Sequence, residues 1–205
     1  MSRRDAWWDV ELTDGAVGLR PIRLRDARRW REVRSRNSAW LRPWEATAPV
    51  PVNDAAPTFA AMVRHLRNEA RGGRSMPFVV THEGALVGQL TVGGIVWGSL
   101  RTAFVGYWVD ERVAGRGVMP TAVAMATDHC IGTVGLHRVE VNIRPENTAS
   151  LRVVEKLGFR DEGLRRRYLH IDGDWRDHRT FALCAEELPP GGLAARWRRE
   201  SMRTD

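Results

Sequence analysis

The residues best suited to chemistry stand in one short run, Arg112-Val113-Ala114-Gly115-Arg116-Gly117-Val118. Two glycines two apart let a backbone turn tightly and approach a bound group with no side chain in the way. A run with helical apolar spacing, Met119 to Thr133, follows directly. The first N–H groups of that helix and the positive end of its dipole then face the turn. Such a cradle takes an anion, and a diphosphate is its natural occupant. Arg112 and Arg116 add charge at the rim. The stretch also reads as a plain connection, because glycine is the ordinary turn residue. Two other phosphate-binding patterns are excluded: the spacing is not G-x-G-x-x-G, and no Gly-Lys-Ser/Thr follows.

Several elements must position this loop. Thr102 to Val109 reads as the strand that delivers the chain to it. In the helix after it, Met119, Val123, Ala126 and Cys130 form one apolar stripe, and Pro120 falls in the first turn, where its missing N–H costs little. Leu136 to Ile143 alternates as a strand, with Val139, Val141 and Ile143 on one face and Arg138, Glu140 and Asn142 on the other. Asn147 caps a helix over Thr148 to Leu157, which Gly158 ends and Phe159 packs against. Upstream, Ala16 to Ile22 reads as a strand and Asp26 as the cap of a helix over Ala27 to Arg36. A second helix runs from about Pro57 to Arg71. Phe78–Thr81 and Leu86–Leu90 flank Glu83-Gly84, and Tyr168–Ile171 and Trp175–Leu183 flank Asp172-Gly173; each is a hairpin. Gly88 marks a bulge. The order of elements predicts an α+β fold with a mostly antiparallel mixed sheet of about seven strands flanked by about four helices.

The 205 residues suit one domain over 15–186, with residues 1–14 as an arm or first strand and 187–205 as a basic tail. Hydrophobic content of 43% and charged content of 28% describe an ordinary globular protein. Cys130 and Cys184 sit in apolar runs without metal-ligand spacing, so no metal is expected. The start leads into no signal-like apolar core and no run is long enough to span a membrane, so the protein is expected to be cytoplasmic, with no membrane partner. Net charge is +7, carried almost wholly by arginine; Lys156 is the one lysine. The balance favours anionic partners such as coenzyme phosphates or RNA. The arginines are scattered and not interleaved with aromatics in one patch, which argues against direct nucleic-acid binding.

The run from Arg112 to Gly117 resembles the R-x-x-G-x-G pyrophosphate loop of the GNAT N-acetyltransferase superfamily. Asn147-Thr148-Ala149-Ser150 is similar to the opening of that family's second conserved helix, and Leu157-Gly158-Phe159 to its ending. Tyr168 to His178 and Trp40-Leu41-Arg42-Pro43-Trp44-Glu45 resemble segments of its RimJ/RimL-like branch of N-terminal protein acetyltransferases. The resemblance covers roughly residues 15–186. It implies the GNAT fold and acetyl-CoA as cosubstrate, held by Val109, Arg112, Gly115, Arg116, Gly117, Val118 and Asn147. The implied acceptor is a protein N-terminus, such as that of a ribosomal protein. An acceptor that is a small amine, such as an antibiotic or polyamine, is a second reading. A non-catalytic acyl-CoA-binding or RNA-associated module is a third. Oligomeric state stays open, a homodimer included.

The chemistry needs an oxyanion donor, a proton donor for the departing thiolate and a path for the amine's proton. The N–H near Val109 suits the first. Val154 stands where many relatives carry an acidic Tyr, and Ser150, one turn earlier, is the substitute; it reads equally as a helix-start serine bonding backbone. Asn142 stands about where some relatives carry a Glu, and it would hold a relay water. Leu169 replaces another such Glu. Glu140 is either a substrate contact or a surface strand residue. Trp40 and Trp44 either wall a peptide groove, with Glu45 meeting the ammonium, or form a small satellite cluster.

Overall fold

Alternation of apolar residues builds the sheet. The computed structural model describes residues 7–49 and 58–203. Among them, one sheet contains β1 (Leu12–Asp14), β2 (Val17–Pro21), β3 (Met76–His82), β4 (Ala85–Val96), β5 (Thr102–Val109), β6 (Arg138–Ile143), β7 (Arg160–Ile171) and β8 (Asp174–Cys184), in the order β1-β2-β3-β4-β5-β6-β8-β7. Only β5 and β6 run parallel; the other neighbours are antiparallel. The helices are α1 (Ala27–Arg36), α2 (Ser38–Leu41), α3 (Phe59–Arg71), α4 (Val118–Asp128), α5 (Thr148–Lys156) and α6 (Leu193–Ser201). The three-residue β1 is the first strand that residues 1–14 allowed for, and the elements beyond the expected ones are the four-residue α2 and α6. The expected helix start at Pro57, Asp54, the rest of the loop over 50–57, the arm before Trp7 and the last two residues lie outside the described residues.

Strand alternation divides the core between the two faces of the sheet. Phe78 and Val80 of β3 pack with α4, whose sequence is apolar almost all round and buried accordingly. Val79 between them packs with Val33 of α1 and Phe59 and Val63 of α3. Both short hairpin turns place two consecutive residues in the left-handed region, Glu83 and Gly84 (φ 51° and 77°) and Asp172 and Gly173 (φ 46° and 87°). That is the turn an X-Gly pair favours between twisted strands. Asp26 does not cap α1 as expected. A tight turn over Leu24–Asp26 precedes the helix, and the carboxylate accepts hydrogen bonds from Arg20 and from the N–H of Arg23 instead. No described helix is long and apolar enough to cross a membrane.

Two features of the sheet open the space that matters. First, β5 and β6 pair only from Thr102 to Phe104 against Arg138 to Glu140, and then diverge. Second, the β3–β4 register shifts by one residue between Val80 and Thr81, a bulge beside Gly88. Gly88 lies so close to β5 that a Cβ there would collide with the carbonyl oxygen of Trp108.

Candidate active site

The divergence of β5 and β6 leaves a cavity of about 860 Å³. Its floor is Gly106 to Val109 with Gln89 and Thr91 of β4. The glycine loop and the start of α4 form one wall, the start of α5 a second, and the segment around α1 and α2 a third.

At the floor, the N–H of Asp110 donates to the carbonyl of Val87 at 2.7 Å, and Gly88 faces Val109 across the ladder. Hydrogen-bonding directions alternate along antiparallel strands, so the N–H of Val109 turns away from β4 toward the gap left by β6. This is the geometry an oxyanion donor needs. Asp110 itself is 2% exposed and pairs with Arg36, accepts from Asn37 at 2.9 Å and from the N–H of Arg112 at 3.3 Å. These donors hold its carboxyl below the usual carboxylate range against the opposing effect of burial.

In the first wall, Gly115 and Gly117 adopt φ of 80° and 76°, and Gly117 is the N-cap of α4. Both the N–H and the hydroxyl of Thr121 donate to the Gly117 carbonyl, at 3.1 and 2.9 Å. The N–H groups of Val118 and Met119 therefore open the helix, as an anion site requires. A Cβ on Gly115 would meet nothing within 4 Å. The loop thus fits a diphosphate. Arg112 and Arg116 are exposed and lie outside the lining, on the solvent side of the loop; the cations that line the cavity are Arg34, Arg152 and Lys156.

In the second wall, the Asn147 side chain accepts from the N–H of Ser150 at 3.1 Å, capping α5 as expected. Asn147 and Ser150 both line the cavity. Val154 is wholly buried in the core. Tyr107, which the sequence reading passed over, lines the cavity beside Ser150 and its hydroxyl lies 3.5 Å from the Ser150 carbonyl oxygen. Burial pushes that phenol's pKa up. The signal available was position: Tyr107 is one of two tyrosines in the chain and lies two residues before Val109.

The third wall gathers Trp30, Arg34, Trp40, Trp44 and Glu45. Trp30 donates to Gln89 at 2.9 Å. The Arg34 guanidinium stands 5.6 Å from the Trp30 ring and 5.1 Å from the Trp108 ring, and pairs with Glu45. Burial lowers the pKa of Arg34. Glu45 is therefore not a free carboxylate waiting for an ammonium. Arg144 stacks on Trp44 and donates to the Pro43 carbonyl at 2.8 Å.

Two expected residues do not reach the cavity. Glu140 pairs with Arg138 and Arg165 on the β6–β7–β8 side of the sheet and is not among the lining residues. Asn142 accepts from the Thr180 hydroxyl at 2.8 Å, on β8, and is not among the lining residues. Beyond Glu140, β6 turns from β5 and stays with β8, which carries Asn142 out of reach.

Residues 16–160 match the family described as an acetyltransferase (GNAT) domain. The [ribosomal protein uS5]-alanine N-acetyltransferase of Escherichia coli is 30% identical over 188 residues, 89% of this chain and 94% of that protein. The probable N-acetyltransferase YjcK of Bacillus subtilis is 40% identical over 98 residues, 48% of this chain and 54% of that protein, so the chain spans about half of YjcK's length. The solved structure of Mycobacterium smegmatis RimJ in complex with CoA-disulfide superposes with a TM-score of 0.89 at 43% identity, covering 95% of this chain and 96% of that one. The glycine loop at the mouth of a splayed β5–β6 pair and the match over most of the chain agree: it belongs to the GNAT acetyltransferase family, among its RimJ/RimL-like members.

Proposed function

We propose that this protein transfers the acetyl group of acetyl-CoA to the α-amine of a protein N-terminus, a ribosomal protein being the foremost acceptor. One observation carries the reading. A single cavity is lined by an anion cradle, at Gly115, Gly117, Val118 and Met119, by an aromatic wall, at Trp40 and Trp44, and by Val109. The coenzyme supplies an activated acyl thioester. The chain's own groups do the rest. The cradle holds the diphosphate. The Val109 N–H donates to the carbonyl oxygen as negative charge gathers there. The hydroxyls of Ser150 and Tyr107 meet the sulfur as the C–S bond breaks, Ser150 passing a proton that it regains from water in the cavity and Tyr107 donating a hydrogen bond. The carboxylates lining the cavity, Glu45 and Glu146, are each paired with an arginine, Arg34 and Arg144. They balance charge more than they accept protons, so the amine's proton leaves to solvent at the mouth.

The same pairing argues against a polyamine acceptor, which calls for free carboxylates along its length. The E. coli relative supports the protein acceptor by its name, a [ribosomal protein uS5]-alanine N-acetyltransferase. The test is a screen of N-terminal peptides against polyamines and aminoglycosides, with free thiol and acetylated mass as readouts. Peptides acetylated at the α-amine are expected. Faster turnover of small amines would overturn the acceptor, and no thiol release with any amine would overturn the transfer.

A further inference from the structure

The helix α6 lies outside the residues that match the family and carries no part of the reaction described above. It is firmly docked. Asp128, at the end of α4, accepts from the N–H groups of Leu193 and Ala194 at 2.7 and 2.9 Å. Leu193 is fully buried, and Arg198 bonds Asp14 of β1 at 2.8 Å. Midway along α6, Trp197 reaches the glycine loop. Its indole N–H donates to the Thr121 hydroxyl at 3.0 Å, and that hydroxyl donates to the Gly117 carbonyl. The ring edge lies 3.7 Å from where a Cβ on Gly117 would stand. The Lys156 ammonium lies 5.5 Å from the centre of the Trp197 ring, and Lys156 lines the cavity.

We infer that Trp197 is a positioning residue of the coenzyme site. Through Thr121 it fixes the carbonyl of Gly117. A peptide plane cannot turn its carbonyl without turning its N–H, so this sets the direction of the Val118 N–H that opens the cradle. Through its ring it holds the ammonium of the chain's one lysine at the phosphate end of the cavity, where a compact cation meets phosphate oxygens. The C-terminal segment is thereby part of the coenzyme site and not an appended basic tail. The inference rests on the proposal that this cavity binds acetyl-CoA.

Calorimetry of CoA binding to the full chain tests it, with three variants that separate the ring from its donor. Trp197→Phe keeps the ring under Lys156 and loses the indole N–H; Thr121→Val loses the relay hydroxyl. Each should weaken binding about fivefold, the worth of roughly one hydrogen bond. Trp197→Ala removes both contacts and should weaken binding by at least about tenfold. The docking of α6 through Asp128, Leu193 and Arg198 is untouched by all three, and if the alanine variant fails to fold, the other two still decide. Salt dependence supplies a readout that a merely structural role does not move. It should flatten in Trp197→Ala, where Lys156 is released, and persist in Trp197→Phe. Affinity and salt dependence within about twofold of the parent in every folded variant would overturn the inference. A parent protein that binds no CoA would instead overturn the reading of the cavity, and is told apart because no variant is needed to see it.

Discussion

The Tyr107 hydroxyl stands 3.5 Å from the main-chain oxygen of Ser150, joining the strand that enters the glycine loop to the helix on the opposite wall. The distance is long for an O–H···O hydrogen bond, so the phenol is weakly engaged and free to turn to an incoming sulfur. Its pKa is raised by burial, which keeps it protonated but makes it a poor acid. It therefore suits a donated hydrogen bond better than a full proton transfer. The contact uses the backbone of Ser150, so replacing the serine side chain leaves Tyr107 in place. The two hydroxyls can thus be tested separately. Ser150→Ala is expected to lower kcat by about 10²-fold, the weight of one general acid, and Tyr107→Phe by about 10-fold. Steady-state kinetics at saturating coenzyme measure both. Full turnover in Ser150→Ala would reduce Ser150 to a helix-start residue.

Gly117→Asp should abolish most coenzyme affinity. The nearest atom to an added Cβ belongs to Trp197 at ordinary contact distance, so steric collision is not the cause. The causes are the left-handed φ of 76° and a negative charge at the anion cradle. Affinity should fall by at least about 10-fold, or roughly 1.4 kcal/mol, with Gly117→Ala losing less because it adds strain without charge. Calorimetry on folded variants decides, and equal affinities for the two variants would refute the charge argument.

The glycine loop, both short hairpins and the cap at Asn147 were legible because each demands particular residue types at particular places. What escaped the sequence reading depends on contacts between distant segments. Arg34 and Glu45 are each ordinary in sequence, and only the path of the chain through α2 turns the carboxylate onto the guanidinium. Glu140 sits on the polar face of β6 as expected, but no pattern within that strand says that Arg165, on a strand two places away, takes its charge. The first half of β7 lacks alternation because an edge strand with both faces exposed has no buried side to mark. Tyr107 reads as an ordinary strand former; the divergence of β5 from β6 makes it a wall of the cavity.

Acid should weaken the ion-pair cluster at the β6–β7–β8 end. Glu162 pairs with Arg138 and Arg160, and they hold its carboxyl down at about 2. A depressed carboxylate stabilises the fold above its unfolded pKa and loses that contribution as pH falls toward the folded value. The window is therefore pH 4.5 down to about 2. Because the group is solvent-exposed, its contribution is about 1 kcal/mol or less. Urea unfolding of the parent and of Glu162→Gln should differ by that amount at about pH 6 and converge only as pH falls to about 2. A gap that persists at the acid end would assign the effect to packing.

Acceptor choice should turn on Trp44. Its ring lines the cavity while Arg144 covers it from outside, and the guanidinium's bond to the Pro43 carbonyl fixes the backbone that carries it. Proline at 43 also restricts the residue before it. The ring is thus held rigid before any acceptor arrives, and little ordering entropy remains to be lost on binding. A flat apolar wall suits the first side chain of an N-terminal peptide. The neighbouring carboxylate, Glu45, is already paired with Arg34, so the wall acts by apolar contact and not by charge. Trp44→Ala should therefore raise KM for peptides by about 1–3 kcal/mol while leaving that for acetyl-CoA nearly unchanged. Glu45→Gln should cost peptides less than Trp44→Ala, because it removes a partner of Arg34 and no contact of the substrate. Peptide series varied at the first residue, run against both variants, measure this. A larger loss for Glu45→Gln would return the ammonium to that carboxylate, and unchanged peptide KM in Trp44→Ala would remove the wall from the acceptor site.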